Sequence, residues 1–239
     1  MPNTRTLDNH LTLHGWLNSH FGYKTTRDLL NDTKRFDAEH DPSGDAALCN
    51  FLSTLPNLNP RTKEKLPTYD DNINRHLSAI NNKRTQPIVL RYFQYLALLY
   101  TEILLDWKFN KPRELLKQLN AFVQTRNSAR APSDAMDTNF TNTDLDKLAF
   151  WMATGAGKTL IMHINYHQFL HYAKDEETLD HIILITPNQG LSDQHIRELT
   201  NSDIRCERFN IERNRLASTH DAVQAVSYTH LTLPTIYSV

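Results

Sequence analysis

Met152-Ala-Thr-Gly-Ala-Gly-Lys-Thr159 is the stretch that decides the fold, because it places two glycines and a lysine between an apolar run and a helical segment. The preceding run, Leu148-Ala-Phe-Trp-Met152, is typical of a strand that is buried on both faces of a parallel sheet. The residues from Lys158 to about Ala173 are predicted to form a helix. A glycine turn that leads from a strand into a helix is the structural context of a phosphate-binding loop.

The chemistry of this motif lies in Thr154-Gly-Ala-Gly-Lys-Thr159, since the strict P-loop pattern requires a glycine where this chain has Met152. Gly155 and Gly157 can adopt backbone angles that turn successive N–H groups towards phosphate oxygens. The positive end of the helix dipole adds to this attraction. Lys158 can reach the β- and γ-phosphates, and the Thr159 hydroxyl can hold Mg2+.

We therefore predict a nucleotide site whose catalytic groups are Lys158 and Thr159, with Thr159 as the magnesium contact. The alternative is a glycine-containing turn without a ligand. The predicted strand before the motif, the helix after it and a second strand further on favour the nucleotide site. The predicted nucleotide-binding residues are Thr154, Gly155, Ala156, Gly157, Lys158 and Thr159.

Strand and helix patterns alternate from residue 145 onward. His181-Ile-Ile-Leu-Ile-Thr186 predicts a second buried strand, residues 191–199 a second helix, and residues 204–209 a third strand. This order implies a parallel sheet with helical crossovers, and hence an α/β fold.

The first part of the chain is polar and is interrupted by turn signals such as Asp41-Pro-Ser-Gly44. Short helices are expected there, for example over residues 46–55. Apolar residues then recur at helical spacing over residues 88–109, and a second helix is predicted from Pro112 to about Gln124. We predict four stretches: a mostly helical region over 1–87, a helical pair with a linker over 88–144, the sheet-forming region over 145–225, and a tail over 226–239 that is foreign to the domain.

The composition limits the classes of partner. Basic and acidic residues number 26 and 27, so nucleic acid would be bound by a local groove rather than by a general basic field. The two cysteines are far apart in the sequence, which fits a reducing cytoplasm. The apolar stretch over residues 93–109 is too short and too charged to span a bilayer, so no membrane is expected.

Met152–Thr159 resembles motif I of superfamily-two helicases, and it is most similar to the ATPase subunits of type III and type I restriction systems and their DEAD/DEAH-box-like relatives. Those proteins often carry Met or Ala where the strict pattern has Gly. The resemblance implies an incomplete RecA-like P-loop NTPase lobe, ATP and Mg2+ as cofactors, double-stranded DNA as a partner, and a possible modification or specificity subunit.

Two further segments resemble this group. Thr186–Gln194 is similar to helicase motif Ia, which grips the nucleic-acid backbone, and the resemblance implies contacts from Pro187, Asn188, Ser192 and Gln194. Without motif I the same segment would be an ordinary strand-to-helix turn. Leu90–Glu102 resembles an Arg-aromatic-Gln element in which the glutamine, here Gln94, reads the adenine edge. A polar residue on a core helix is an equally good interpretation of Gln94.

A motor of this class also needs an acidic Asp-Glu motif and a second RecA-like lobe, and residues 195–239 contain no such motif. The sequence therefore predicts an ATP-dependent DNA helicase or translocase motor of a restriction or phage-defence system, represented by an N-terminal fragment that is inactive alone. The alternative is a P-loop nucleotide-binding regulator or scaffold without a motor.

Overall fold

A computed structural model describes residues 11–37, 44–131, 136–173, 182–208 and 223–227 of the 239-residue chain. Its α-helices are α1 Thr12–His20, α2 Thr26–Thr33, α3 Gly44–Ser53, α4 Pro60–Asn81, α5 Tyr92–Asn110, α6 Pro112–Ser128, α7 Lys158–Tyr172 and α8 Gln189–Asn201. Its strands are β1 Ile182–Thr186, β2 Cys206–Arg208 and β3 Val223–Ser227. Short 3-10 turns cover Lys34–Phe36 and Asn142–Asp146. The chain divides into two compact units, one of residues 1–74 and 89–172 and the other of residues 75–88 and 173–239.

Helix α5 forms the centre of the first unit. Leu98, Leu99 and Ile103 are fully buried, and polar residues of α5 such as Gln94 are buried as well. A helix that is enclosed on all sides must be apolar around most of its circumference, which is the pattern of this sequence. The predictions of helices in both α5 and α6 are confirmed, although α6 continues beyond Gln124 to Ser128.

A buried carboxylate joins α7 to α5. The Glu102 side chain on α5 accepts hydrogen bonds from Gln168 Nε2 at 2.8 Å and from the Tyr172 hydroxyl at 2.7 Å, both on α7. It also accepts one from Asn72 Nδ2 on α4 at 3.0 Å. A buried carboxylate is tolerated when hydrogen bonds replace its lost hydration, and these three donors supply such bonds to Glu102. Burial and the negative charge of Glu102 raise the pKa of Tyr172, which keeps its hydroxyl a donor.

The second unit contains a three-stranded parallel sheet in the order β1-β3-β2. Helix α8 connects β1 to β2, and its residue Leu199 is buried. Parallel strands of one sheet require such crossover connections. The predicted α/β class with a parallel sheet and helical crossovers is therefore confirmed, and so are the predicted helices over α7 and α8 and the strand over β2.

Strand β1 confirms the predicted second strand but not its burial on both faces. Ile183 is 54% exposed and Ile185 is 51% exposed. Ile183 and Ile185 alternate with less exposed residues, so they share one face of the sheet, and the described residues leave that face uncovered.

The prediction of a buried strand over Leu148–Met152 is wrong. These residues form neither a strand nor part of the described sheet, and Trp151 is 80% exposed. Apolar composition alone does not make a strand, because a strand also needs a partner for its backbone hydrogen bonds. In this structure Leu148, Phe150 and Trp151 line a groove of about 800 Å³ within the first unit, together with residues of α1 and α5.

The predicted start of the foreign tail at residue 226 falls inside the central strand. Val226 pairs with Ile185 and Ser227 with Thr186, so the sheet extends two residues beyond the predicted boundary. The rest of that tail, residues 228–239, lies outside the described residues, and its foreign origin stays a prediction. Within the described ranges no helix combines the length and apolarity needed to cross a membrane.

Candidate functional site

The predicted phosphate loop is a turn that ends where α7 begins. Gly155 has φ +79° and Gly157 has φ +84°, which is the left-handed region that favours glycine. The Ala156 N–H donates to the Ala153 carbonyl at 3.2 Å and closes the turn. The Ile161 N–H donates to the Gly157 carbonyl at 3.1 Å. Gly157 therefore precedes α7 directly, and the loop leads into a helix as the sequence predicted.

Lys158 and Thr159 are the first residues of the fifteen-residue helix α7. The Lys158 side chain is exposed, and its Nζ donates to the carbonyls of Met152 at 3.0 Å and Ala153 at 2.9 Å. The ammonium group therefore lies back over the loop itself. Two left-handed glycines, a helix N-terminus, a lysine and a hydroxyl in the first turn are the donor set that suits a nucleoside triphosphate with Mg2+.

Gln94 lies against this loop, although it is 62 residues away from Ala156 in the sequence. Its Nε2 donates to the Ala156 carbonyl at 3.1 Å, and its Oε1 accepts from the Arg91 N–H at 2.9 Å. The side chain is 7% exposed. Gln94 is thus a polar residue on a core helix and also a contact of the phosphate loop, while its reading of adenine stays a prediction.

A larger residue at position 157 would displace the Gln94 amide. A Cβ atom added there would lie 2.4 Å from Gln94 Nε2, whereas a Cβ at Gly155 would meet nothing within 4 Å. The two glycines therefore serve different purposes. Gly155 supplies a left-handed turn, and Gly157 supplies the turn together with the space for the Gln94 amide.

A contact that the sequence did not predict lies behind Gln94. Asp37 is 4% exposed, and its two carboxylate oxygens accept from Arg91 Nε at 2.7 and 2.8 Å. The two residues are 54 positions apart. Asp37 stands in a region with no recognisable motif, so no local pattern indicated it.

The predicted nucleic-acid residues lie around the start of α8, in the second unit. Pro187 and Gln194 are exposed. Asn188 is exposed too, and its Oδ1 accepts from the Leu191 N–H at 2.9 Å and caps the helix.

Ser192 differs from the other three because it is buried. It lies seven positions before Leu199, which places both on the inner face of α8. The Ser192 hydroxyl is enclosed in this structure, and its contact with nucleic acid stays a prediction.

The parallel sheet with its helical crossover defines an α/β fold, and the glycine loop leads into a helix as a P-loop does. Residues 111–233 match the family of the type III restriction enzyme res subunit. The match covers more than half of the chain, so the chain belongs to this family. Its members are helicase-like ATPases of restriction-type systems, which generally use ATP and Mg2+ and act on DNA. No curated protein and no solved structure matches the chain.

Proposed function

We propose that this chain supplies the ATP-binding part of an ATP-dependent DNA translocase or helicase motor in a restriction or phage-defence system. The observation that carries the proposal is the loop geometry: two left-handed glycines at the N-terminus of α7, fastened to α5 by Gln94. An unliganded glycine turn has no need of a buried amide that holds one of its carbonyls. The family match over residues 111–233 also supports a helicase-like ATPase; it includes the loop but not Gln94.

Each residue of the site has an assigned task. Residues 154–157 offer backbone N–H groups to phosphate oxygens, Lys158 contacts the β- and γ-phosphates, and the Thr159 hydroxyl holds Mg2+. Bound Mg2+ neutralises charge on the phosphates. The Lys158 ammonium exchanges the Met152 and Ala153 carbonyls for phosphate oxygens, which are stronger partners because they are charged.

Gln94 retains the groups that adenine recognition requires. A glutamine amide has two N–H donors and two acceptor lone pairs. The described hydrogen bonds use one N–H, towards Ala156, and one lone pair, towards Arg91. One donor and one acceptor remain for N7 and the N6 amino group of adenine.

On the DNA side we assign Pro187, Asn188 and Gln194, which lie exposed where β1 passes into α8. The preferred partner is double-stranded DNA, and a modification or specificity subunit is proposed as a protein partner. Ser192 takes part only if the first turn of α8 rearranges on binding, because its hydroxyl is buried.

The burial of Ser192 favours a second candidate, a nucleotide-binding regulator without a motor. A regulator needs the phosphate loop but no grip on a strand. The two candidates differ in DNA binding: a motor lobe binds a short DNA duplex with an affinity that changes when ATP is added, whereas a regulator binds ATP and ignores the duplex.

The site is tested by titrating the purified 239-residue chain with a fluorescent ATP analogue in the presence of Mg2+. Lys158→Ala is expected to weaken binding at least about ten-fold, since it removes a charge-assisted contact to phosphate. Lys147→Ala is the matched control, because Lys147 is an exposed lysine of the same segment. Equal affinities of the two variants would refute the assignment of the site.

A further inference from the structure

Asp37 lies in the N-terminal helical region, outside the part of the chain that matches the family. We propose that Asp37 and Arg91 are positioning residues for the phosphate loop and act on it through Gln94. This inference rests on the proposed nucleotide site, and it assigns a role in that site to a region in which no motif is recognised.

The first link is the ion pair. Arg91 Nε contacts both Asp37 oxygens at 2.7 and 2.8 Å, and the Asp37 side chain is 5% exposed against 36% for Arg91. Hydrogen bonds between charged groups are stronger than neutral ones, and burial of one partner limits screening by water. Asp37 itself is anchored by its N–H, which donates to the Lys34 carbonyl at 3.3 Å.

The second link is the start of α5. Arg91 is the N-cap residue of this helix, and its backbone holds Gln94 at two points. The Arg91 N–H donates to Gln94 Oε1 at 2.9 Å, and the Arg91 carbonyl accepts from the Gln94 N–H at 2.9 Å. A displacement of Arg91 therefore moves both the backbone and the side-chain amide of Gln94.

The third link is the peptide bond between Ala156 and Gly157. Gln94 Nε2 donates to the Ala156 carbonyl at 3.1 Å. A trans peptide is planar, so its carbonyl and the N–H of the next residue point in opposite directions. Since Gln94 fixes the Ala156 carbonyl, it also fixes the Gly157 N–H, which points away from α5. That N–H is one of the donors assigned to phosphate, and Asp37 thereby controls its direction.

A purely stabilising ion pair would leave phosphate affinity unchanged in protein that is still folded, so affinity is the deciding readout. The probe is inorganic tripolyphosphate in the presence of Mg2+. Tripolyphosphate has no base, so its binding reports only on the proposed phosphate-binding residues 154–159. Binding to the 239-residue chain is measured by calorimetry, and circular dichroism establishes that each variant is folded.

Asp37→Ala and Gln94→Ala are each expected to raise the Kd for tripolyphosphate by about five-fold, within the range of coupling found for neighbouring groups. Because both act through one amide, the double variant is expected to bind no worse than Gln94→Ala alone. Asp37→Asn, which keeps an acceptor and the side-chain shape, serves if Asp37→Ala does not fold, and it is expected to show a smaller increase. The matched control is Asp146→Ala, which removes the ion pair with Lys108 near the other end of α5.

An unchanged Kd in folded Asp37→Ala, or effects of Asp37→Ala and Gln94→Ala that multiply in the double variant, would overturn the inference. Lys158→Ala separates this failure from a failure of the proposed function. If Lys158→Ala weakens tripolyphosphate binding and Asp37→Ala does not, the positioning role alone is lost. If Lys158→Ala has no effect, the nucleotide site itself is lost.

Discussion

The amide nitrogen of Gln94 lies 3.1 Å from the carbonyl oxygen of Ala156, and this bond ties helix α5 to the loop that precedes α7. The bond exists because residue 157 has no side chain. A Cβ at that position would lie within 2.4 Å of the same nitrogen atom.

Gly157→Ala is expected to abolish nucleotide binding and to destabilise the protein by about 2–4 kcal/mol, from the left-handed backbone and the displaced Gln94 amide together. Urea unfolding and titration with an ATP analogue measure the two effects. Gly155→Ala is the control, since it has the same backbone requirement and open space around it, and it is expected to cost about 1–2 kcal/mol. Equal losses in the two variants would show that the contact with Gln94 is unimportant.

Glu102→Gln is expected to reduce the free energy of unfolding by about 2–4 kcal/mol, because the new NH2 group replaces one acceptor oxygen and faces either the donor of Gln168 or those of Asn72 and Tyr172. Chemical denaturation gives the value. Glu114→Gln on α6 is the control, since this glutamate is half exposed and its loss is expected to cost less than about 0.5 kcal/mol. An unchanged free energy of unfolding in Glu102→Gln would show that the three donors do not require a charged acceptor.

Stability is expected to fall as the pH is lowered from 6.5 towards 4. Burial lowers the pKa of His20 to about 4 from 6.5, so the unfolded chain takes up a proton in this interval while the folded chain does not. Linkage then predicts a contribution of up to about 3 kcal/mol that is fully present above pH 6.5 and is lost by pH 4.

His20→Asn keeps a polar atom near the Thr62 hydroxyl, which lies 2.7 Å from His20 Nδ1, and it removes the titrating ring. The dependence of stability on pH over this interval is expected to flatten in His20→Asn and to persist in the control His195→Asn. An unaltered slope in His20→Asn would assign the acid sensitivity to other groups.

The chain is expected to bind ATP without hydrolysing it at a measurable rate. Phosphoryl transfer depends on groups that position water and stabilise charge, and residues 195–239 contain no Asp-Glu pair for that purpose. A phosphate-release assay on the purified chain, with and without duplex DNA, measures the rate. Hydrolysis that disappears in Lys158→Ala would contradict this prediction.

Gln194→Ala is expected to weaken binding of a fluorescent DNA duplex by about two- to five-fold, as for the loss of one backbone contact. Ser192→Ala is expected to leave duplex binding unchanged, because the hydroxyl is buried. It is also expected to be nearly neutral for stability, since that hydroxyl has no hydrogen-bond partner among the described residues. A larger loss of duplex binding in Ser192→Ala than in Gln194→Ala would mean that the inner face of α8 contacts DNA.

The sequence predicted most of the helices and the parallel sheet, because both follow from local periodicity. The spacing of apolar residues within each segment predicts helices α5 and α6 and strand β1. The prediction of a phosphate loop also rests on local sequence, since its glycines, lysine and threonine lie within one short segment.

The properties that the sequence did not reveal depend on distant residues. The exposure of Trp151 depends on whether a partner strand lies beside it, and the burial of Ser192 depends on what packs against α8. The contacts of Gln94 with Ala156 and of Asp37 with Arg91 join residues 62 and 54 positions apart. No periodicity within one segment encodes such pairs.

The central place of β3 in the sheet has a consequence for folding during synthesis. Strands β1 and β2 leave the ribosome before β3, yet each is hydrogen-bonded to β3 and neither to the other. Domains form as the chain is translated. Within the described sheet, β1 and β2 therefore lack their partner strand until Val223–Ser227 has emerged. The exposed isoleucines of β1 are a hazard during that interval, because unpaired apolar strands associate between chains. We expect a nascent chain that has exposed β1 and β2 but not yet β3 to depend on a holding chaperone.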